Sequence, residues 1–173
     1  MGPADGMLTP ATASLFAVPG GTAGVRRTLQ ILCDLVNQYK TDLNVRTLAV
    51  QLVQGCAPKD RRCELSTLQR FVRDQIRYVA DVENVETVQT PVQTLKLRAG
   101  DCDDKATLLN ALAAAIGFAT RFCAIGVRGG PFSHVMAQAR LGAGWINCET
   151  IVPGVEIGWF PPDATQGMLA HVS

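Results

Sequence analysis

The ten residues Gly100-Asp101-Cys102-Asp103-Asp104-Lys105-Ala106-Thr107-Leu108-Leu109 constrain this chain more than any other stretch. A glycine-bearing approach runs into an alanine- and leucine-rich segment, and a cysteine sits at the junction. Asp101 is a favourable N-cap residue, so the spacing predicts a helix whose first turn holds Cys102. A helix N-terminus has unpaired N–H groups and the positive end of the dipole, and both favour an anion. The expectation is a lowered thiol pKa, with backbone donors placed for the oxyanion of an acyl intermediate. His134 and Glu149 follow in a β-rich stretch. Cysteine, histidine and acid in that order are the parts of a nucleophile, base and orienting group.

Around that junction the pattern predicts a central helix from about Asp103 to Ile116. Leu108, Leu109, Leu112, Ala115 and Ile116 make it apolar nearly all round, which is the mark of a buried helix. Gly117 is its stop. Three strands are expected next, over 120–127, 133–140 and 145–150. Turns lie at Arg128-Gly129-Gly130-Pro131 and Leu141-Gly142-Ala143-Gly144. Alternation puts His134, Met136, Gln138 and Arg140 on one face of the second strand, and Trp145, Asn147 and Glu149 on one face of the third. Antiparallel pairing across the tight hairpin brings His134, at the start of one strand, beside Glu149, at the end of the next. Both then face the helix that carries Cys102.

Upstream, residues 1–24 are rich in Gly, Ala, Pro and Thr and read as a flexible or docking arm. Residues 25–173 read as one domain. Helices are expected from Val25 to Tyr39, from an Asn44 cap to Gly55, and from Glu64 to Ile76. The segment from Tyr78 to Ala99 reads as irregular, with β-prone pieces at Val85 to Val88 and Val92 to Leu97. A connection of that length is usually functional or folded on itself, and this one leads into the cysteine.

A net charge of +1 gives no footprint for nucleic acid or an anionic membrane, and no apolar run is long enough to span a bilayer. No signal-peptide pattern opens the sequence, so the six cysteines are expected reduced in a cytoplasmic setting, although a local Cys56–Cys63 bridge is conceivable. Their spacing offers no zinc ligand set. Each candidate also has a plainer reading. Cys102 could be a small buried hydrophobe, His134 structural, and Glu149 a solvated edge charge. His171, near the end, reads as mobile. Asp101, Asp103 and Asp104 could be a solvated acidic turn or a hard-cation site, and they oppose thiolate formation unless they pair elsewhere.

The combination resembles the transglutaminase-like superfamily, above all its short microbial and phage-encoded members. The residues that carry the resemblance are Gly100-Asp101-Cys102-Asp103-Asp104 before an Ala/Leu helix, Ile116-Gly117-Phe118 before a strand, Ser133-His134-Val135, and Trp145 with an acid four residues on. Ile76-Arg77-Tyr78-Val79-Ala80-Asp81 and Glu86-Thr87-Val88-Gln89-Thr90-Pro91 fit the same group. The resemblance implies an α+β, papain-like core, with N-terminal helices and a central buried helix packed on an antiparallel sheet. It implies Cys102 as nucleophile and His134 as base. Glu149 stands where the family has aspartate followed by proline; here the acid is one methylene longer and Thr150 follows. The oxyanion candidates are the Cys102 backbone N–H and the side chains of Tyr78 and Gln89. The implied function is cysteine-dependent acyl transfer on a protein or peptide substrate, with amide hydrolysis favoured over cross-linking. No calcium-loop pattern is present, so no metal or cofactor is expected. The competing expectation is a non-catalytic bacteriophage virion component, docked through residues 1–24.

Overall fold

The computed structural model describes residues 14–15, 21–80 and 87–173, with the side chains of 14–15 excepted. Three helices lead: α1 (Gly21–Tyr39), α2 (Leu43–Val53) and α3 (Arg61–Gln75). Asp42, rather than Asn44, caps α2, accepting from the N–H groups of Asn44 and Val45. Asp60 caps α3 through Cys63 N, so that helix begins a turn earlier than the apolar pattern indicates. The chain then forms β2 (Arg77–Tyr78), β3 (Thr87–Val88), α4 (Pro91–Leu97), β4 (Ala99–Gly100), α5 (Cys102–Ala115), β5 (Thr120–Val127), β6 (Phe132–Leu141), β7 (Gly144–Cys148) and β8 (Ala164–His171).

The structure corrects several expectations. Val92 to Leu97 is helical, not β-prone: Thr90 caps α4 by accepting from Gln93 N, and Pro91 takes the first position, where its missing N–H costs nothing. Arg98 closes that helix in the left-handed conformation, φ 53°. His171 is held in β8, opposite Arg121 of β5, with its ring edge-on to Trp145 at 5.3 Å. Cys56 and Cys63 form a disulfide across the α2–α3 turn, with Cα atoms 5.7 Å apart; Cys33, Cys102, Cys123 and Cys148 are free thiols. A turn that brings two cysteines this close meets the geometric requirement for a bridge. Of the N-terminal arm, Ser14–Leu15 is β1, paired antiparallel with β3 of its own chain. The rest of residues 1–20, and the expected strand residues Val85 and Glu86, lie outside the described residues.

The four-stranded sheet has the order β7-β6-β5-β8, antiparallel throughout. Gly142 and Ala143 form the two-residue β6–β7 loop, with Gly142 at φ 62°, a conformation glycine adopts without strain. Helix α5 lies against this sheet and is surrounded by the other helices: Leu108, Leu109 and Leu112 meet Phe122, Ala124, Ala137, Ala139 and Cys148 in one core that also takes in Leu32, Val36, Leu65, Leu68 and Val72. A 14-residue helix buried from Asp104 to Ala113 is what the nearly uniform apolar sequence requires. Its one long charged side chain, Lys105, is 1% exposed. Its ammonium donates to Ile76 O (2.6 Å) and Arg73 O (3.2 Å), the open carbonyls at the end of α3. Among the described residues no helix is long and apolar enough to cross a membrane.

Candidate active site

Asp101 and Asp104 set the start of α5. Asp101 accepts from Asp104 N (3.0 Å), and Asp104 reaches back to Asp101 N (3.3 Å), a reciprocal capping box. Asp104, 1% exposed, also takes both the backbone N–H and Nε2 of Gln89 at 2.8 Å. It therefore joins the helix start to the incoming loop. Helix and loop are so close at this point that a Cβ on Gly100 would lie 2.6 Å from the Cβ of Asp104. The same approach allows β2 to pair in parallel with β4, setting Tyr78 opposite Gly100.

Cys102 is the first residue of α5, and its backbone N–H meets no acceptor among the described residues. Its Sγ donates to Asp103 Oδ1 at 3.3 Å and accepts from the backbone N–H of Val135. The sheet explains the second contact. Arg140 N bonds to Ala119 O on the β5 side, so odd-numbered residues of β6 turn their N–H groups to the β7 side. Strand β7 ends where Cys148 pairs with Ala137, which leaves the Val135 N–H open to the sulfur. The nucleophile candidate thus sits against the residue that follows His134.

His134 and Glu149 meet as the hairpin register anticipates: His134 Nε2 lies 2.7 Å from Glu149 Oε2. Glu149 comes directly after β7 and is fully buried. Its other oxygen accepts from Thr150 N (2.7 Å) and Ile151 N (2.6 Å). Its backbone carbonyl accepts from Nε2 of the buried Gln69 on α3 (2.6 Å), which also donates to Val155 O (3.0 Å). Burial alone would raise the Glu149 pKa. The His134 hydrogen bond and charge, with the two backbone N–H groups, outweigh it and hold the carboxyl below its ordinary value.

The thiol is shifted the other way from the sequence expectation. Desolvation raises the Cys102 pKa far above the ordinary thiol value, and the charges of Asp103 and Asp101 add to the rise. The Val135 N–H opposes them and does not prevail. A helix N-terminus favours an anion, but here it is already supplied with carboxylates. The resting group is a thiol. Burial likewise lowers the Lys105 pKa to about 8, against the pull of Glu149 and Asp74. Of the side-chain oxyanion candidates, Gln89 spends a donor on Asp104, and Tyr78 stands half-exposed on β2. Gln69 and Lys105 belong to no motif in the sequence; a polar side chain at a core position of a helix pattern is the signal that marks them. Among the described residues no group of three or more His, Cys, Asp or Glu is arranged to hold a metal ion.

A helix with a cysteine in its first turn, packed against an antiparallel sheet whose residues carry a histidine–acid pair, is the arrangement of the papain-like α+β class. Within that class, the sequence profile of the transglutaminase-like superfamily matches residues 46–150, more than half of the chain, and the protein belongs to that superfamily. No curated protein sequence matches the chain. Among solved structures, a candidate protease from Parabacteroides distasonis superposes with a TM-score of 0.57 at 13% identity, covering 70% of this chain and 26% of that one. A candidate cysteine protease from Cytophaga hutchinsonii gives 0.54 at 18% identity, over 83% of this chain and 56% of that one. Calcium-bound LapG of Legionella pneumophila gives 0.55 at 17% identity, over 79% and 80%. The chain thus spans about a quarter of the first of these proteins and just over half of the second. At such identities the likeness is one of fold.

Proposed function

We propose that the protein is a cysteine-dependent acyl-transfer enzyme that hydrolyses amides in a protein or peptide substrate. The observation that carries this reading is the pair of His134 and the buried Glu149, 2.7 Å apart, beside the strand residue whose N–H meets the Cys102 sulfur. Its support comes also from the superfamily and from neighbours described as candidate cysteine proteases. In the proposed reaction the Cys102 proton passes to the free ring nitrogen of His134 as Sγ attacks the amide carbon. The C–S bond forms while the carbonyl π pair moves onto oxygen, where the Cys102 N–H receives it. His134 returns the proton to the departing nitrogen, the C–N bond breaks, and a thioester remains. Water then attacks with His134 again as base, releasing the acid and the thiol. Glu149 holds the imidazole in one orientation and stabilises its cation.

One observation favours the second reading, a non-catalytic virion or interaction component: the Cys102 thiol donates to Asp103 Oδ1 at 3.3 Å rather than to His134. Site-resolved iodoacetamide alkylation across pH separates the two. On the enzymatic reading Cys102 reacts faster than the buried Cys33, Cys123 and Cys148, and His134→Ala removes that advantage. Equal reactivity of Cys102 in both proteins, no greater than that of the other thiols, would end the enzymatic reading.

A further inference from the structure

A cleft of about 320 Å³ lies against the first turn of α5. Val79, Ala80, Leu97 and Ala99 form its apolar walls, and Gly100 and Asp104 flank the short stretch that holds Cys102. We propose that this cleft is a recognition subsite for an uncharged aliphatic side chain of the polypeptide substrate, with Val79 and Leu97 as the residues that set the preference. The proposal rests on the acyl-transfer reading above.

Three observations carry it. Large exposed apolar residues are few among those described, yet Val79 (45% exposed) and Leu97 (53%) both open onto this one cleft, and the exposed Tyr78 adjoins it. They come from different elements, the end of β2 and the end of α4, so no single amphipathic face accounts for their meeting. The polar lining gives no net preference for charge of either sign: it carries one carboxylate, Asp104, whose oxygens are taken up by Gln89 and Asp101, and one guanidinium, Arg77, so the attraction one offers a charged side chain is offset by the other. The placement also suits a neighbouring subsite rather than the reacting centre. Cys102 turns its sulfur to Val135, whereas Asp104, two residues on, lies roughly 200° round the helix. A helix is roughly 10 Å across and an extended peptide advances roughly 3.3 Å per residue. A substrate crossing the helix start with its carbonyl at Cys102 therefore puts a side chain two or three positions away into the cleft.

The test uses peptidyl vinyl sulfones, which alkylate a thiol by adding S–H across the carbon–carbon double bond. The residue two or three positions before the reactive group is Leu, Val, Ala, Glu or Lys, and labelling is read by mass spectrometry on the full chain, with Cys102→Ala as the control for site. Leu or Val should label Cys102 about tenfold faster than Ala, Glu or Lys, the discrimination a hydrophobic pocket supplies. Leu97→Glu and Val79→Glu, both at exposed positions, should each erase that preference once each labelling rate is divided by the iodoacetamide rate of the same variant, which removes any effect of the new charge on the thiol itself. Selective labelling of Cys102 with no aliphatic preference, or a preference that survives both substitutions, overturns the subsite and leaves the enzyme reading intact. If Cys102 proves inert, fluorescence anisotropy of the same peptides without the reactive group, on Cys102→Ala, decides separately. Tighter binding of the Leu peptide that is lost with Leu97→Glu supports the subsite, and equal binding of all five overturns it.

Discussion

Cys102 and Glu149 are both drawn out of water at the same site, yet their surroundings move them in opposite directions. Glu149 is encircled by donors: one imidazole nitrogen and two backbone N–H groups reach its carboxylate. Cys102 has one backbone donor and the carboxylates of Asp101 and Asp103 nearby. Burial raises the pKa of both groups; only Glu149 has enough hydrogen bonds to reverse it. In the resting protein the negative charge therefore lies on the acid and the proton on the sulfur. A nucleophile of this kind is made by proton transfer at the moment of attack, and the burden falls on how firmly His134 is aimed.

The sharpest way to break this contrast is Glu149→Gln. The amide keeps the size of the side chain but cannot stabilise an imidazolium. Turnover of an amide substrate should fall by about 10⁴-fold, read as an initial rate at unchanged far-UV circular dichroism. A loss smaller than tenfold would mean the imidazole needs no carboxylate. Gln69→Leu tests the same half from behind. It removes two hydrogen bonds and leaves the buried Glu149 carbonyl without its side-chain donor, while Arg73 still donates to Val155 O. The expected cost is about 2–3 kcal/mol, seen as a lower urea midpoint with an unchanged slope; an unchanged midpoint would show that the acid loop holds itself.

A smaller effect is the acid limb of stability. The Glu149 carboxyl titrates lower in the folded chain than in the unfolded one. Its contribution is thus complete above the unfolded carboxylate value of ~4.3 and is lost as pH falls through the lower folded value. Glu149→Gln should flatten the urea midpoint against pH in that window, and an identical slope in both proteins would contradict the assignment. The least effect is expected on the cysteine side, at Arg98. Glycine there would relieve the left-handed backbone but free the unfolded chain and lose the guanidinium over Phe71, 5.5 Å from the ring centre. The two should cancel to within about 0.5 kcal/mol, measured by thermal unfolding.

What could be read in the sequence divides along the same line. The Asp101 cap, the place of Cys102 and the His134–Glu149 meeting follow from local chemistry and a two-residue hairpin, and short-range patterns carry both. The direction of the thiol shift did not follow, because it depends on how deeply Cys102 is buried and where Asp103 points. The fate of Lys105 was equally hidden: a lysine in the first turn of a helix reads as solvated until α3 is laid beside it. For α4 the signal was present in Thr90-Pro91, a cap followed by a first-turn proline, but Val92 and the residues after it looked β-prone by type. Strand β8 had no alternation strong enough to stand out, and His171 is fixed by long-range contacts, its pairing with β5 and its ring against Trp145.

Gly100 has a consequence for how such a site can vary. A side chain at this position collides with the Cβ of Asp104 itself, an atom every residue except glycine carries. Shortening the neighbour to make room would mean a second glycine, and with it the loss of the helix cap and the hold on Gln89. Position 100 is therefore held to glycine for as long as position 104 carries any side chain, whereas position 104 can change on its own: lineages derived from this chain that keep the acid should keep the glycine, and the dependence runs one way.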